Sequence, residues 1–263
     1  MSKKNHITRD KSAAAGSLFN DSQPKKKHIP QSKIFSLLVF IAGAILAAVA
    51  LSVVLVIFLR WIPPPTSAFM IKRHLANLFQ NEQRPPIRYR WVNWKSISPY
   101  MFLAVVAAED QKFPHHWGFD FESIQQAVKK NKRGRRLRGA STITQQVAKN
   151  LFLWSDRSYV RKGLEAYFTT LLELLWPKKR ILEVYLNVAE FGDGIYGVHA
   201  AAKTLLGKNP SQLTPSEAAL LAAVLPNPKL LKVRAPSPYV LERAHWIEKQ
   251  MEQLGGSGYL GKF

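Results

Sequence analysis

The chain has 263 residues, of which 47% are hydrophobic and 21% charged, and its 38 Lys and Arg outnumber 17 Asp and Glu to give a formal charge of +21. So much apolar sequence excludes an intrinsically disordered chain, and the absence of cysteine excludes disulfides, thiolate metal sites and a cysteine nucleophile. The positive excess indicates a negatively charged partner, and nucleic acid, anionic lipid headgroups and a phosphorylated substrate all remain open.

The N-terminal region divides into a basic tail and a long apolar segment. Residues 1–33 carry eight Lys or Arg and two acidic residues, so they cannot bury a core and we expect a disordered tail. Residues 34–59 contain no charge, and as a helix they would extend about 39 Å, more than the roughly 30 Å hydrocarbon core of a bilayer. A signal peptide, the alternative, usually has an apolar region of only about 7–15 residues. We therefore predict a transmembrane helix over 34–59 and one domain over 60–263.

The orientation of this helix is weakly marked, because basic residues flank both ends. Lys25–Lys27 precede the apolar segment, and Arg60 and Lys72 follow it. A short basic tail in the cytoplasm with the large domain exported is the commoner arrangement, and it is the one we expect.

Beyond residue 60 the local signals are almost all helical. Cap residues or capping boxes that typically start a helix stand at five places, Ser98-Pro99, Asp120, Thr142 with Gln145, Thr214 to Glu217, and Ser237-Pro238. An apolar stripe from Val160 to Leu175 stops at Pro177. Only residues 87–94 have a strand pattern. The sequence therefore predicts a mainly α domain with little sheet.

The first cluster that could carry chemistry lies where the apolar run 104–108 ends. Glu109 and Asp110 follow that run, and His115 and His116 come shortly after. A pair of acids at a helix end is often a solvated terminus, and adjacent histidines point apart, which disfavours a shared metal. Glu109, however, stands at the rim of apolar packing, where lost hydration raises the pKa of a carboxyl toward that of a general base.

The second cluster crowds hydroxyl and amide side chains at a predicted helix N-terminus, where free N–H groups favour an anion. Its members are Ser141, Thr142, Thr144, Gln145, Gln146, Lys149 and Asn150. An ordinary polar cap explains Thr142 and Gln145 but not the whole group. Further on, Arg161 and Glu165 are spaced i, i+4, which by itself indicates only a surface ion pair.

Together with residues 181–187, these blocks resemble the ordered signatures of the peptidoglycan glycosyltransferase family, whose members occur alone or as the first domain of bifunctional penicillin-binding proteins. The matching segments are Glu109 to Gly118, Gly139 to Gln146, Arg161 to Glu165, Ile181 to Asn187 and Leu213 to Pro228. The likeness covers Tyr89 to Pro228. We expect a monofunctional member, because the chain contains no Lys-Thr-Gly and its one Ser-x-x-Lys lies in the tail.

The resemblance implies a lysozyme-like helical fold that polymerises lipid II into β-1,4 glycan strands and releases undecaprenyl pyrophosphate. By motif position Glu109 is the base for the acceptor hydroxyl, and Lys149, Arg161 and Lys162 are candidates for the diphosphate. Glu165 would orient these cations or bind a divalent metal such as Mg or Mn, and no organic cofactor is expected. Further candidates for substrate binding are Asp110, His116, Ser141, Thr142, Gln145, Gln146, Asn150, Asn187 and Tyr196.

The basic run Lys129–Arg138 suggests a rival function, a membrane-tethered nucleic-acid binder. The resemblance makes anionic lipid headgroups the nearer partner, and we expect no nucleic-acid binding. A lysozyme or lytic transglycosylase is a second rival, but a finished glycan has no pyrophosphate for the cations to bind. Apolar residues around Met101–Leu103 are a candidate membrane foothold.

The resemblance also implies partners and a location. Lipid II, the growing glycan chain, membrane lipids and cell-division or elongation proteins are the expected partners. The expected location is the bacterial inner membrane, crossed once, with the N-terminus in the cytoplasm and the catalytic domain in the periplasm.

Overall fold

The computed structural model describes residues 31–79, 85–125, 141–156 and 158–262. Its first helix, α1 (Gln31–Leu59), begins three residues before the charge-free segment. In this part of the chain it is the one helix that is long and apolar enough to cross a membrane, from Phe35 to Leu59, judged by length and composition. The tail predicted over residues 1–30 lies outside the described residues.

The rest of the described chain is mainly helical, as the sequence predicts. Its helices are α2 (Ala68–Phe79), α3 (Pro99–Glu109), α4 (Ile143–Phe152), α5 (Tyr159–Leu175), α6 (Lys178–Val188), α7 (Gly197–Ala201), α8 (Pro215–Ala223) and α9 (Pro238–Gln253). Residues 121–125 are also helical, and the Asp120 carboxylate accepts a hydrogen bond from Ser123 N at their start.

The predicted caps set the helix starts. Thr142 and Gln145 form a complete capping box at α4, and Thr214 and Glu217 form another at α8. Ser98 occupies the N-cap of α3, but its hydroxyl donates to the carbonyl of Leu213 at 2.8 Å and accepts no capping hydrogen bond from its own helix. These helix starts could be predicted from the sequence because each capping signal lies within one turn of the helix that it starts.

The strand predicted over 87–94 is only two residues long. Three short strands, β1 (Arg88–Tyr89), β2 (Glu190–Gly192) and β3 (Ile195–Tyr196), form a sheet in the order β1-β3-β2, with β1 parallel and β2 antiparallel to β3. Beyond β1 the Asn187 side chain takes the place of a neighbouring strand, since its amide binds both Val92 N and Val92 O at 2.9 Å. The predicted strand is therefore confirmed in part, and at Val92 a distant side chain satisfies the backbone instead of a strand.

The core surrounds α3. Residues Met101 to Ala107 are at most 1% exposed, and α3 packs against α8 and α9. Met101–Leu103 therefore belong to the protein core, and the membrane foothold suggested for them is wrong. On the other side of the domain α4 packs against α5 and α6. Glu109 and Asp110, at the end of α3, lie beside the start of α4 as a result.

The last turns of α1 belong to the same compact unit as the helical domain, since this unit comprises residues 49–263. Val56 is fully buried, and its carbonyl accepts a hydrogen bond from Trp176 Nε1 at 2.8 Å. The carbonyl of Leu59 accepts from Arg180 Nη2 at 2.9 Å. These carbonyls are among the four that a helix leaves without internal partners at its C-terminus. Side chains of the domain thus complete the end of the helix.

Candidate active site

Glu109 occupies the C-terminal end of α3 and is 14% exposed. Its Oε2 accepts a hydrogen bond from Gln146 Nε2 at 2.9 Å, and its Oε1 lies 3.6 Å from Arg243 Nη2. Burial raises the pKa of Glu109, while the Gln146 hydrogen bond and the charges of Arg243 and Lys149 oppose the shift. The side chain combines restricted solvation with few direct partners, which is the environment of a general base.

A tyrosine fixes the orientation of Gln146. The Tyr185 hydroxyl donates to Gln146 Oε1 at 3.3 Å, so the amide nitrogen of Gln146 is the end that faces Glu109. Tyr185 is 1% exposed, and burial raises its pKa well above the ordinary value. It therefore stays a hydrogen-bond donor. Sequence analysis includes this tyrosine in the motif Ile181 to Asn187 but assigns it no role of its own, because its position on α6 is typical of a core residue.

Asp110 and His116 are occupied with protein contacts. The Asp110 carboxylate accepts hydrogen bonds from His116 Nε2 at 2.9 Å and from Ile143 N at 3.0 Å. The Thr142 hydroxyl donates to the Gly118 carbonyl at 2.6 Å, and Gln145 completes the capping box. These side chains join the segment after α3 to the start of α4, which positions Glu109 against Gln146. Their predicted role in substrate binding stays a prediction.

Glycine is required at position 118 in this junction, both by its backbone conformation and by the space around it. Its φ is +76°, and a Cβ added there would lie 2.5 Å from Thr169 Cγ2 on α5. A side chain would therefore meet both strain and a collision.

A cationic cluster surrounds Glu165 on α5. Glu165 is 3% exposed and accepts hydrogen bonds from both Arg161 and Lys162. Lys149 interacts electrostatically with all three and with Glu109, and burial lowers its pKa while the Glu165 charge opposes that shift. The Arg161–Glu165 pair is thus no ordinary surface pair. The charge of Lys149 therefore interacts with both carboxylates, Glu109 and Glu165.

The surroundings of Glu165 do not match a preformed metal site. Both of its carboxylate oxygens accept hydrogen bonds from cations, and the described residues contain no group of three or more His, Asp or Glu placed to bind a metal ion. A magnesium ion commonly takes one or two carboxylates and completes its shell with waters and substrate phosphates, so a metal bound by Glu165 together with the diphosphate stays a prediction. We assign no step to a metal.

Glu109 and Gln146, which contact each other, line two different cavities. One, of about 250 Å³, is lined by Glu109 together with Ser141 and Trp246. The other, of about 180 Å³, is lined by Gln146 together with Lys149 and shares lining residues with a larger groove of about 780 Å³ along α2. Lys149 lines the second of these cavities and not the one that contains Glu109.

The remaining predicted residues divide between these cavities and the core. Asn150 and Tyr196 line the cavity of Lys149, and burial raises the pKa of Tyr196. Asn187 is fully buried and binds the backbone of Val92, so it has a structural role here. The basic run Lys129–Arg138 lies outside the described residues.

Two residues at the site come from α9, beyond the segment that the motifs cover. Arg243 is near Glu109, and Trp246, one turn later, lines the same cavity as Glu109. Their spacing on an amphipathic helix is also typical of a surface helix, so the sequence offered no signal that distinguished them.

Comparison with known proteins gives consistent results. Residues 75–252 match the family model described as Transglycosylase. A biosynthetic peptidoglycan transglycosylase from Stutzerimonas stutzeri (strain A1501) is 53% identical over 225 residues, which cover 86% of this chain and 93% of the relative. Proteins with the same name from Pseudomonas fluorescens (strain Pf-5) and Xanthomonas campestris pv. campestris (strain B100) are 52% and 51% identical. They cover 80% and 91% of this chain, and 88% and 98% of their own lengths.

Proposed function

The chain belongs to the transglycosylase family, and on that premise we propose that it polymerises lipid II into the linear β-1,4 glycan strands of peptidoglycan for cell wall synthesis. The observation that carries this assignment is the pairing of a desolvated carboxylate, Glu109, with a separate cluster of cations around Glu165. A transfer from a lipid pyrophosphate donor needs both parts, a base for the acceptor and positive charge for the leaving group.

In the proposed reaction Glu109 accepts the proton of the GlcNAc 4-hydroxyl of lipid II. The oxygen attacks C1 of the MurNAc at the reducing end of the growing chain, the bond from C1 to the pyrophosphate oxygen breaks, and the configuration changes from α to β. Undecaprenyl pyrophosphate leaves with the bonding electrons. A positioned base typically contributes about 10² to 10⁴ in rate.

The leaving diphosphate is bound by Lys149, Arg161 and Lys162. Glu165 acts through the two cations that it contacts, holding Arg161 and Lys162 in place beside Lys149. Fixed positive charge needs no reorganisation as negative charge develops on the leaving group. Glu165 is therefore assigned as a positioning residue.

The proposed location is the bacterial inner membrane. The apolar helix supports a membrane anchor, and the lipid-linked substrate supports a periplasmic catalytic domain with the N-terminus in the cytoplasm. Membrane lipids are then constant neighbours. Association with cell-division or elongation proteins is a further part of the proposal, supported by the family resemblance alone.

The proposal is tested with purified protein and labelled lipid II in detergent. We expect polymer that moenomycin abolishes and penicillin does not affect, because the chain resembles only the glycosyltransferase part of bifunctional members. The Glu109→Gln variant serves as the inactive control. Polymer that forms equally with moenomycin, or release of fragments from finished cell wall without synthesis, would contradict the proposal.

A further inference from the structure

Trp246 on α9 presents an aromatic surface inside a polar cavity. Its side chain is 45% exposed, and it lines the cavity of about 250 Å³ that contains Glu109. The other lining groups include carboxylate, ammonium and hydroxyl side chains, such as Asp120, Lys112 and Ser141. The fold leaves almost half of this residue in water beside polar groups, and that exposed surface is available to a ligand with both apolar and polar surfaces.

The position of Trp246 is fixed from both ends. Three residues earlier on α9, Arg243 lies 3.6 Å from the Glu109 carboxylate. Four residues later, Gln250 Oε1 accepts a hydrogen bond from Gln111 Nε2 at 3.0 Å. Residues three and four apart lie on one face of a helix, so the same face of α9 meets the chain on both sides of Asp110. Trp246 is thereby held next to the segment that carries Glu109.

The stereochemistry of the reaction assigns this cavity to one substrate. In an inverting displacement the incoming oxygen and the leaving oxygen lie on opposite sides of the reacting carbon. The cations that suit the leaving diphosphate interact with one another around Glu165, and Lys149 among them lines a different cavity together with Gln146. The acceptor is therefore assigned to the cavity that these cations do not line, which Glu109 and Trp246 share.

The size and lining of the cavity fit one sugar ring. Its volume of about 250 Å³ is just below the roughly 300–1,000 Å³ of pockets for drug-sized ligands. A pyranose ring has an apolar face of C–H groups and an edge of hydroxyls, which match an indole face and polar walls respectively. We propose that Trp246 is a substrate-binding residue that stacks on the GlcNAc ring of the acceptor and presents its 4-hydroxyl to Glu109. This inference rests on the proposed function.

The test separates the two substrates chemically. Lipid II capped on the GlcNAc 4-hydroxyl can act only as a donor, and a lipid II analogue with carbon in place of the anomeric oxygen can act only as an acceptor. Coupling of the two by the full-length protein is measured while each concentration is varied. We expect Trp246→Ala to raise the KM for the acceptor about tenfold, the scale of one aromatic contact, with the KM for the donor within about twofold of the wild type.

Two further substitutions distinguish stacking from simple packing. Trp246→Phe keeps an aromatic face and should retain an acceptor KM within about threefold of the wild type, whereas Trp246→Leu fills space without that face and should behave like Trp246→Ala. Leu241→Ala is the matched control, because Leu241 is an exposed apolar residue on the same helix that does not line this cavity. It should leave both KM values unchanged.

Three results would overturn the inference. The first is an unchanged acceptor KM in folded Trp246→Ala or Trp246→Leu protein, and the second is an increase in the donor KM alone. In both, normal coupling by the wild type would leave the proposed function intact. The third is a lack of coupled product with the wild type while it also fails to polymerise ordinary lipid II, which would contradict the proposed function itself.

Discussion

The side chains of Glu109 and Glu165 are only 14% and 4% exposed, yet their surroundings are opposite. Glu109 receives one hydrogen bond from a neutral amide, and the guanidinium of Arg243 lies 3.6 Å from its carboxylate. Glu165 receives hydrogen bonds from two cations. Burial raises the pKa of Glu109. The difference in hydrogen-bond partners suits Glu109 to accept a proton and suits Glu165 to hold two cations in place.

Substitution of Glu109 should have the largest effect. Glu109→Gln keeps the size of the side chain but cannot accept the acceptor's proton, so kcat should fall by at least about a hundredfold with lipid II binding retained. Turnover is measured with labelled lipid II, and binding by displacement of a labelled inhibitor. Near-normal turnover would show that Glu109 is not the base, and the proposed difference in role between Glu109 and Glu165 would then be wrong.

Substitution of Glu165 should be less severe and differ in kind. Glu165→Gln leaves Arg161 and Lys162 without their carboxylate, so the loss in kcat/KM should be about 10- to 100-fold, on the leaving-group side. Because Glu109 is untouched, the acidic limb of the pH profile of kcat/KM should stay at its wild-type position. A displaced acidic limb would show that the two carboxylates titrate together.

Substitution of Arg243 tests the environment of Glu109 directly. The Arg243 charge lowers the pKa of Glu109, so Arg243→Gln should raise that pKa. The base acts in its deprotonated form, hence the acidic limb of kcat/KM should move to higher pH, with activity lost at the acid end and retained above the limb. Arg243→Lys keeps the charge and is the control. Movement of the limb to lower pH, or none, would contradict the assignment.

The smallest effect is expected from a substitution at the N-cap of α4, the helix whose side chains interact with both carboxylates. Helix α4 carries Gln146, which contacts Glu109, and Lys149, which interacts with Glu165. Thr142→Ala removes the cap of α4 and the hydrogen bond to Gly118, and should lower the free energy of unfolding by about 1 kcal/mol. Thermal unfolding measures this, with Ser237→Ala at the cap of α9 as a comparison. An unchanged melting temperature would show that the cap is dispensable.

The sequence predicted the helices well because their signals are local. It predicted less well the parts of the fold that depend on contacts between residues far apart in the chain. The start of α4 was readable because Thr142 and Gln145 lie within one turn of each other. The strand predicted within 87–94 is limited to Arg88–Tyr89, and Asn187 satisfies the backbone of Val92 from far along the chain. Met101–Leu103 were misread as a membrane contact because apolar composition does not distinguish a protein core from a bilayer.

The candidate site shows the same division. Glu109 and the cationic residues were candidates because they belong to ordered motifs, and the structure brings Lys149, Arg161 and Lys162 together around Glu165, while their roles stay predictions. Tyr185 belongs to a motif too, but it was given no role, and Arg243 and Trp246 were not candidates. Each of these three lies on a helix whose pattern satisfies ordinary packing, and only the fold places it near Glu109 or Gln146.

The completed end of α1 has a consequence for how the domain can be separated from the membrane. A cut just before Pro63 would leave the Trp176 indole N–H without the Val56 carbonyl and remove the Leu59 acceptor of Arg180. Buried donors that lose their partners cost stability, so the shed domain should melt at a lower temperature than a fragment that begins at Val49. Proteolytic release at this point would therefore yield a domain of lower thermal stability. The compact folded unit begins within the apolar helix, at Val49.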